Sequence, residues 1–140
     1  MKLGEQTLEH WIQRAKEIAV VAHQGQTRND GSPYIKHPFR VAEAVEDRLK
    51  PIAFLHDVPE DTRITIKDLM EEGFPLYIIR AVDLLTHRNK EPNLQYWGRI
   101  KQNPDALAVK LADINDNIND NPSEKAKAKY ALALKFFAEP

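Results

Sequence analysis

The sequence predicts an all-α fold, a single-domain helical bundle, on three observations. Apolar residues recur at three- and four-residue steps through most of the chain, Pro and Asn punctuate them at helix-length intervals, and no segment alternates long enough to make a strand. At 140 residues the chain is expected to form one domain, 1–140, with a core of its own.

The elements follow in order. Leu8, Trp11, Ile12, Ala15, Ile18, Ala19 and Ala22 form one apolar stripe on a long first helix, with Thr7 as its N-cap. A polar loop spans Gly25 to His37. A second helix is expected from Pro38 to Asp47, with Val41, Ala44 and Val45 inward. Pro51 suits the first turn of a third helix, which runs through Ile52–Leu55 to His56 and Asp57. That helix is apolar on nearly every side, so it belongs at the centre. Thr65 caps a short helix ending near Gly73, and Pro75 opens another that reaches Leu85. Helices over Asn93–Gln102, Asp105–Ile118 and Ser123–Phe137 complete the bundle, with Leu94, Trp97 and Ile100 spaced to pack. Ile64-Thr65-Ile66 alternates but is too short for a strand.

Composition removes whole classes of function. Net charge is −1, so no global excess of Lys and Arg points to nucleic acid or a membrane surface. There is no Cys, which excludes disulfides, thiolate metal sites and Cys nucleophiles. A signal-peptide core and a long apolar span are both missing, so a cytoplasmic location is expected. Nothing in the sequence sets the oligomeric state.

The stretch Ala53-Phe54-Leu55-His56-Asp57-Val58-Pro59-Glu60-Asp61-Thr62 carries the chemistry. An apolar run rarely ends in four ionisable residues unless they have partners, because unpaired buried charge is very costly. A divalent cation is the simplest partner for an adjacent imidazole and carboxylate, and Glu60 and Asp61 are then free to handle a proton. Donors elsewhere in the chain extend the set: His37 opens a helix after a loop, and Asp113 interrupts the apolar helix Val109-Lys110-Leu111-Ala112-Asp113. The chemistry suggests His37, His56, Asp57 and Asp113 as metal ligands. Mixed nitrogen and oxygen donors suit Mn²⁺, Fe²⁺, Zn²⁺, Ni²⁺ or Co²⁺ better than Ca²⁺ or Mg²⁺. Each of the four taken alone is equally readable as a cap or a hydrogen-bonded core group, and spacing does not bring them together.

Longer motifs add a resemblance. Ala22-His23-Gln24-Gly25-Gln26-Thr27-Arg28, Gly31-Ser32-Pro33-Tyr34-Ile35-Lys36-His37-Pro38, the His56-Asp57 stretch, and Val109–Asp113 with Asn117 occur in that order. Together they resemble the HD-superfamily hydrolase domain of the RelA/SpoT type, in particular small alarmone hydrolases, over roughly residues 8 to 120. The resemblance implies an all-α HD bundle and one metal ion, usually Mn²⁺, on His37, His56, Asp57 and Asp113. It implies Glu60 and Asp61 as the catalytic acidic pair, Arg28 against the nucleotide base, and Asn117 as a nucleotide contact. The implied reaction removes the 3′-pyrophosphate of guanosine tetra- or pentaphosphate, the alarmones of the stringent response. His23 is read as positioning the Arg28 loop, Tyr34 as packing, and His87, Arg88 and Lys90 as either a phosphate-holding cluster or a solvated loop.

Two departures matter. Asn29 stands where the family usually has Lys, which removes a positive charge near the expected nucleotide. Pro59 separates the His-Asp pair from the Glu-Asp pair, and is expected to end or kink the central helix and to bias Val58 away from helix. Two other functions stay open: an HD-type phosphatase acting on another nucleotide, such as NADPH, and a nucleotide-binding sensor without catalysis. The Asp- and Asn-rich run from Asp113 to Glu124 imitates a calcium loop, but Ile118 occupies the position of its sharp-turn Gly.

Overall fold

The computed structural model describes residues 6–140. Among them lie nine α-helices and one 3-10 turn, and the pairing of extended backbone is limited to an isolated bridge between Thr27 and Pro33. The helices are α1 (Leu8–Ala22), α2 (Lys36–Glu43), α3 (Lys50–Leu55), α4 (Val58–Asp61), α5 (Ile66–Glu71), α6 (Leu76–Leu85), α7 (Asn93–Lys101), α8 (Pro104–Ile118) and α9 (Glu124–Ala138).

The short α3 is the centre. Every residue from Pro51 to Leu55 is buried, and the helix packs against α1, α2, α6 and α8. A helix apolar all round can only sit inside. Its largest neighbour is α1, whose buried stripe of Trp11, Ala15, Ile18 and Ala19 includes two alanines that let the two backbones approach closely. Thr7 caps α1 as expected, its hydroxyl accepting the His10 N–H at 3.2 Å. On the other side α7, α8 and α9 pack on one another, with Trp97 meeting the rings of Phe136 and Phe137. Side-chain caps also start α5, at Thr65 with a reciprocal bond from Asp68, and α9, at Ser123.

Both ends of α2 and the buried face of α7 differ from expectation. Helix α2 begins at Lys36, so Pro38 falls in its first turn, where a missing N–H costs nothing. It also stops at Glu43 rather than Asp47 and leaves Ala44 exposed. The reason is Lys50, whose ammonium donates to the carbonyls of Ala42 (2.7 Å) and Val45 (3.1 Å) and satisfies the helix end. A 3-10 turn at Asp47–Leu49 then drops Leu49 into the core. Leu94 is 66% exposed, and the buried face of α7 is Tyr96, Trp97 and Ile100 instead.

Candidate active site

The four expected ligands converge. One donor atom from each of His37, His56, Asp57 and Asp113 lies within 4.8 Å of the others. His37 comes from the first turn of α2, His56 and Asp57 from the α3–α4 junction, and Asp113 from the middle of α8. His37 Nε2 is 2.8 Å from Asp113 Oδ1, and His56 Nε2 is 3.0 Å from Asp57 Oδ2 and 3.2 Å from Asp113 Oδ1.

Hydrogen bonds outside the cluster fix both imidazoles. His56 Nδ1 is 2.6 Å from the Ala53 carbonyl, which can only accept, so Nδ1 carries a proton and Nε2 is the nitrogen turned inward. His37 Nδ1 is 2.6 Å from Asp116 Oδ2, with the same consequence. The Tyr34 hydroxyl donates to Asp57, so Tyr34 does more than pack. Lys110 Nζ holds the outer oxygen of Asp113 at 3.0 Å.

The electrostatics favour positive charge at the centre. Burial opposes ionisation of Asp57 and Asp113, yet His56 and His37, and for Asp113 also Lys110, hold both carboxyls below the usual range. Burial likewise opposes a charged His56, yet Asp57 and Asp113 raise its pKa. Two Nε2 nitrogens that face inward, free to give up a proton to an arriving cation, and two ionised carboxylates are a donor set that fits a divalent transition metal.

The acidic pair sits one turn further on. Helix α3 stops at Leu55 and α4 starts at Val58, because Pro59 has no N–H to offer the Leu55 carbonyl. The expected break is therefore present, but Val58 does not leave the helical region; it opens α4. Glu60 Oε1 accepts the backbone N–H of His87 at 2.7 Å. Partial burial, then Asp57, raises the Glu60 carboxyl, although the His87 bond works the other way. Asp61 is pushed up to about 6 by desolvation, with the charges of Asp57 and Glu60 adding to it. A loop contact steadies this end: His23 Nδ1 bonds Gln26 Oε1 at 2.8 Å, and Gln26 Nε2 donates to the Asp61 carbonyl at 3.0 Å. His23 thus positions the loop, as expected.

Asp57, Glu60, Asp61, Asp113, Lys110 and Asn117 all line one cleft of about 220 Å³. Tyr96, Lys129 and Tyr130 line it as well. Burial pushes the Tyr96 hydroxyl up to about 12, and it donates to the Leu85 carbonyl at 2.6 Å.

Arg28 does not offer a stacking face to this cleft. Its side chain is 3% exposed, with Nε ion-paired 2.9 Å from Asp120 Oδ2 and Nη2 bonded to Asn117 Oδ1 at 3.2 Å. Two carboxylates, Asp120 and the more distant Asp116, capture the guanidinium that was expected on a base. Asn117 in turn donates to Asp113 Oδ1 at 3.1 Å, so Arg28 reaches the cleft by orienting Asn117. Of the basic cluster His87, Arg88 and Lys90, only His87 lines the cleft. Arg88 points to Asp83, 3.8 Å away. The calcium-like run is helical through Ile118, and its Asp116 and Asp120 serve His37, Arg40 and Arg28.

Sequence reading missed Lys110 and Asp116. Both stand three residues from Asp113 on one helix, and that i, i+3 spacing was the available signal.

No protein-family model matches the chain. SpoT of Escherichia coli K12, a bifunctional (p)ppGpp synthase/hydrolase, is 37% identical over 123 residues, covering 76% of this chain and 17% of that protein. A guanosine-3′,5′-bis(diphosphate) 3′-pyrophosphohydrolase of Aquifex aeolicus is 32% identical over 144 residues, covering 84% of this chain and 20% of its own. The chain therefore spans a fifth or less of the length of these relatives. A solved metazoan SpoT ortholog, described as hydrolysing ppGpp, shares the fold with a TM-score of 0.74 at 22% identity, over 89% of this chain and 82% of that one. With the all-α bundle and the converged His and Asp cluster, these similarities place the chain in the RelA/SpoT family, matched to the part of those proteins that has the all-α HD-type fold.

Proposed function

We propose that this chain is a metal-dependent pyrophosphohydrolase that removes the 3′-pyrophosphate of guanosine 3′,5′-bis(diphosphate). The observation that carries the proposal is the juxtaposition, in one cleft, of a four-donor metal cluster and an adjoining acidic pair, one member of which is pushed up to about 6. A binding module has no use for the second group.

His37, His56, Asp57 and Asp113 would hold one divalent transition-metal ion, and the family resemblance points to Mn²⁺. When bound, such an ion lowers the pKa of a water and polarises a phosphoryl oxygen. Asp61, raised to about 6, is ionised at neutral pH but basic enough to accept a proton from the attacking water. Glu60, held by the His87 N–H, keeps the pair aimed into the cleft and raises Asp61 by its charge. Lys110 fixes the orientation of Asp113 and adds positive charge on the side where phosphate would collect. Asn117, oriented by Arg28, faces the nucleoside end.

A specific observation keeps a second substrate class in view. Asn29 adds no charge, and Arg28 is neutralised by Asp120, so the nucleoside end has no free cation from this loop. That tolerance suits another phosphorylated nucleotide, such as NADPH, acted on by the same centre.

A substrate panel with Mn²⁺ separates the readings. Guanosine tetraphosphate, its adenosine analogue, NADPH and ordinary nucleotides are offered, and the released phosphate species is identified. Pyrophosphate from guanosine tetraphosphate supports the proposal. Orthophosphate from NADPH with none from guanosine tetraphosphate replaces it by a phosphatase. Binding without turnover of any compound replaces it by a sensor.

A further inference from the structure

Asp116 has two oxygens in two different jobs. Oδ2 lies 2.6 Å from His37 Nδ1, at an imidazole that is 1% exposed. Oδ1 lies 2.6 Å from Arg40 Nε, and Arg40 Nη2 is 3.3 Å from Oδ2. Arg28 Nη2 lies 3.6 Å from Oδ2. The carboxylate is thus gripped by two guanidinium groups and aimed at one ring nitrogen. Helix α8 makes this possible: Asp113, Asp116 and Asn117 are spaced i, i+3, i+4 and share a face.

Arg40 is 45% exposed, and an ion pair of that kind contributes little to stability by itself. The bond to His37 differs because it is inside the protein. An ionised carboxylate can only accept, so it commits His37 to the tautomer with Nδ1 protonated and Nε2 free. A carboxylate on the far nitrogen also makes the near nitrogen a better donor, and fixes the plane of the ring.

We propose that Asp116 is a positioning residue that sets the metal affinity of the centre through His37, and that Arg40 is the clamp that positions Asp116. The proposal rests on reading His37, His56, Asp57 and Asp113 as metal ligands. Through Arg28, which touches both Asp116 and Asn117, the same clamp ties the metal side of the cleft to the nucleoside side.

The test uses the full chain, titrated with Mn²⁺ by calorimetry, beside long-range proton–nitrogen NMR of the imidazoles. Asp116→Asn is nearly isosteric, but its amide can turn a donor toward His37. It should weaken Mn²⁺ binding about 10- to 100-fold, the range for loss of such outer partners. The His37 spectrum should shift from one tautomer to a mixture, while helical circular dichroism stays unchanged. Asp116→Glu should recover part of the affinity. Arg40→Gln, which leaves the carboxylate in place, should weaken binding by a smaller factor. Asp116→Asn binding Mn²⁺ within twofold of wild type would overturn the proposal and leave the metal centre standing. Failure of the wild-type chain to bind Mn²⁺, Fe²⁺, Zn²⁺, Ni²⁺ or Co²⁺ would overturn the metal reading itself, and this proposal with it.

Discussion

The metal cluster and the acidic pair are neighbours in sequence and opposites in construction. His37, His56 and Asp113 are buried, and each is held by at least one partner outside the cluster. Glu60 and Asp61 are exposed, ride on the four-residue α4, and are held by two contacts, the His87 N–H to the Glu60 carboxylate and the Gln26 amide to the Asp61 carbonyl. The difference follows from the tasks. Holding a dication requires donors that are desolvated and oriented before the ion arrives, since each misaligned ligand loses affinity. Handling a proton requires access to water and a pKa near the working pH, which full burial beside a cation would destroy. Pro59 sits at the seam, and the helix break it causes lets one stretch of chain serve both needs.

The largest expected effect separates the two halves directly. Asp113→Ala or His56→Ala should abolish metal binding, and activity should fall by at least about 10³-fold, because a bound ion supplies several kcal/mol of transition-state stabilisation. Asp61→Asn should leave Mn²⁺ affinity intact and lower kcat by about 10²- to 10⁴-fold, the usual range for a lost general base. Calorimetry and steady-state kinetics on the same preparations decide. If Asp61→Asn loses metal as readily as Asp113→Ala does, the two halves are one unit and the comparison fails.

The helix pattern and the ligand types were legible in the sequence because both are local. Thr7, Thr65 and Ser123 cap helices that start where the pattern puts them, since capping depends on a few adjacent residues. The convergence of His37 with Asp113 was not legible from spacing, because 76 residues separate them and only packing decides their distance. The fate of Arg28 was hidden for the same reason: nothing local says that Asp120, at the end of a distant helix, will take its charge. Lys50 ended α2 from outside the helix, which no propensity argument on Lys36–Glu43 could anticipate.

A finer change tests how the acidic pair is tuned. Asp61 must be deprotonated to accept a proton, so kcat should rise with pH through an acid limb near 6, where its carboxyl titrates. Glu60 contributes to that raised value by charge repulsion. Glu60→Gln removes the repulsion, so the acid limb should move to lower pH while a reduced kcat persists at neutrality. A pH profile that keeps its midpoint would assign the limb to some other group.

The smallest effect concerns the loop that steadies Glu60. Arg99 donates to both oxygens of Glu91, at 2.9 and 2.7 Å, and His87 Nε2 bonds the Glu91 carbonyl at 2.6 Å, so Glu91 organises the segment whose N–H reaches Glu60. The Arg99 bonds hold the Glu91 carboxyl at about 2, below its ordinary value of 4.5. A carboxyl lowered on folding contributes stability that is fully present above its unfolded pKa and fades as pH falls toward its folded one. Glu91→Gln should therefore lower Tm by a few degrees at pH 7, and the gap to wild type should close between about pH 4.5 and pH 2. At neutral pH the variant should retain Mn²⁺ affinity, because the metal cluster does not lean on this loop, and should lose a few-fold in kcat through a less constrained Glu60. Equal loss of metal affinity and kcat would mean that the loop supports both halves of the site, and that the division at Pro59 is weaker than the geometry implies.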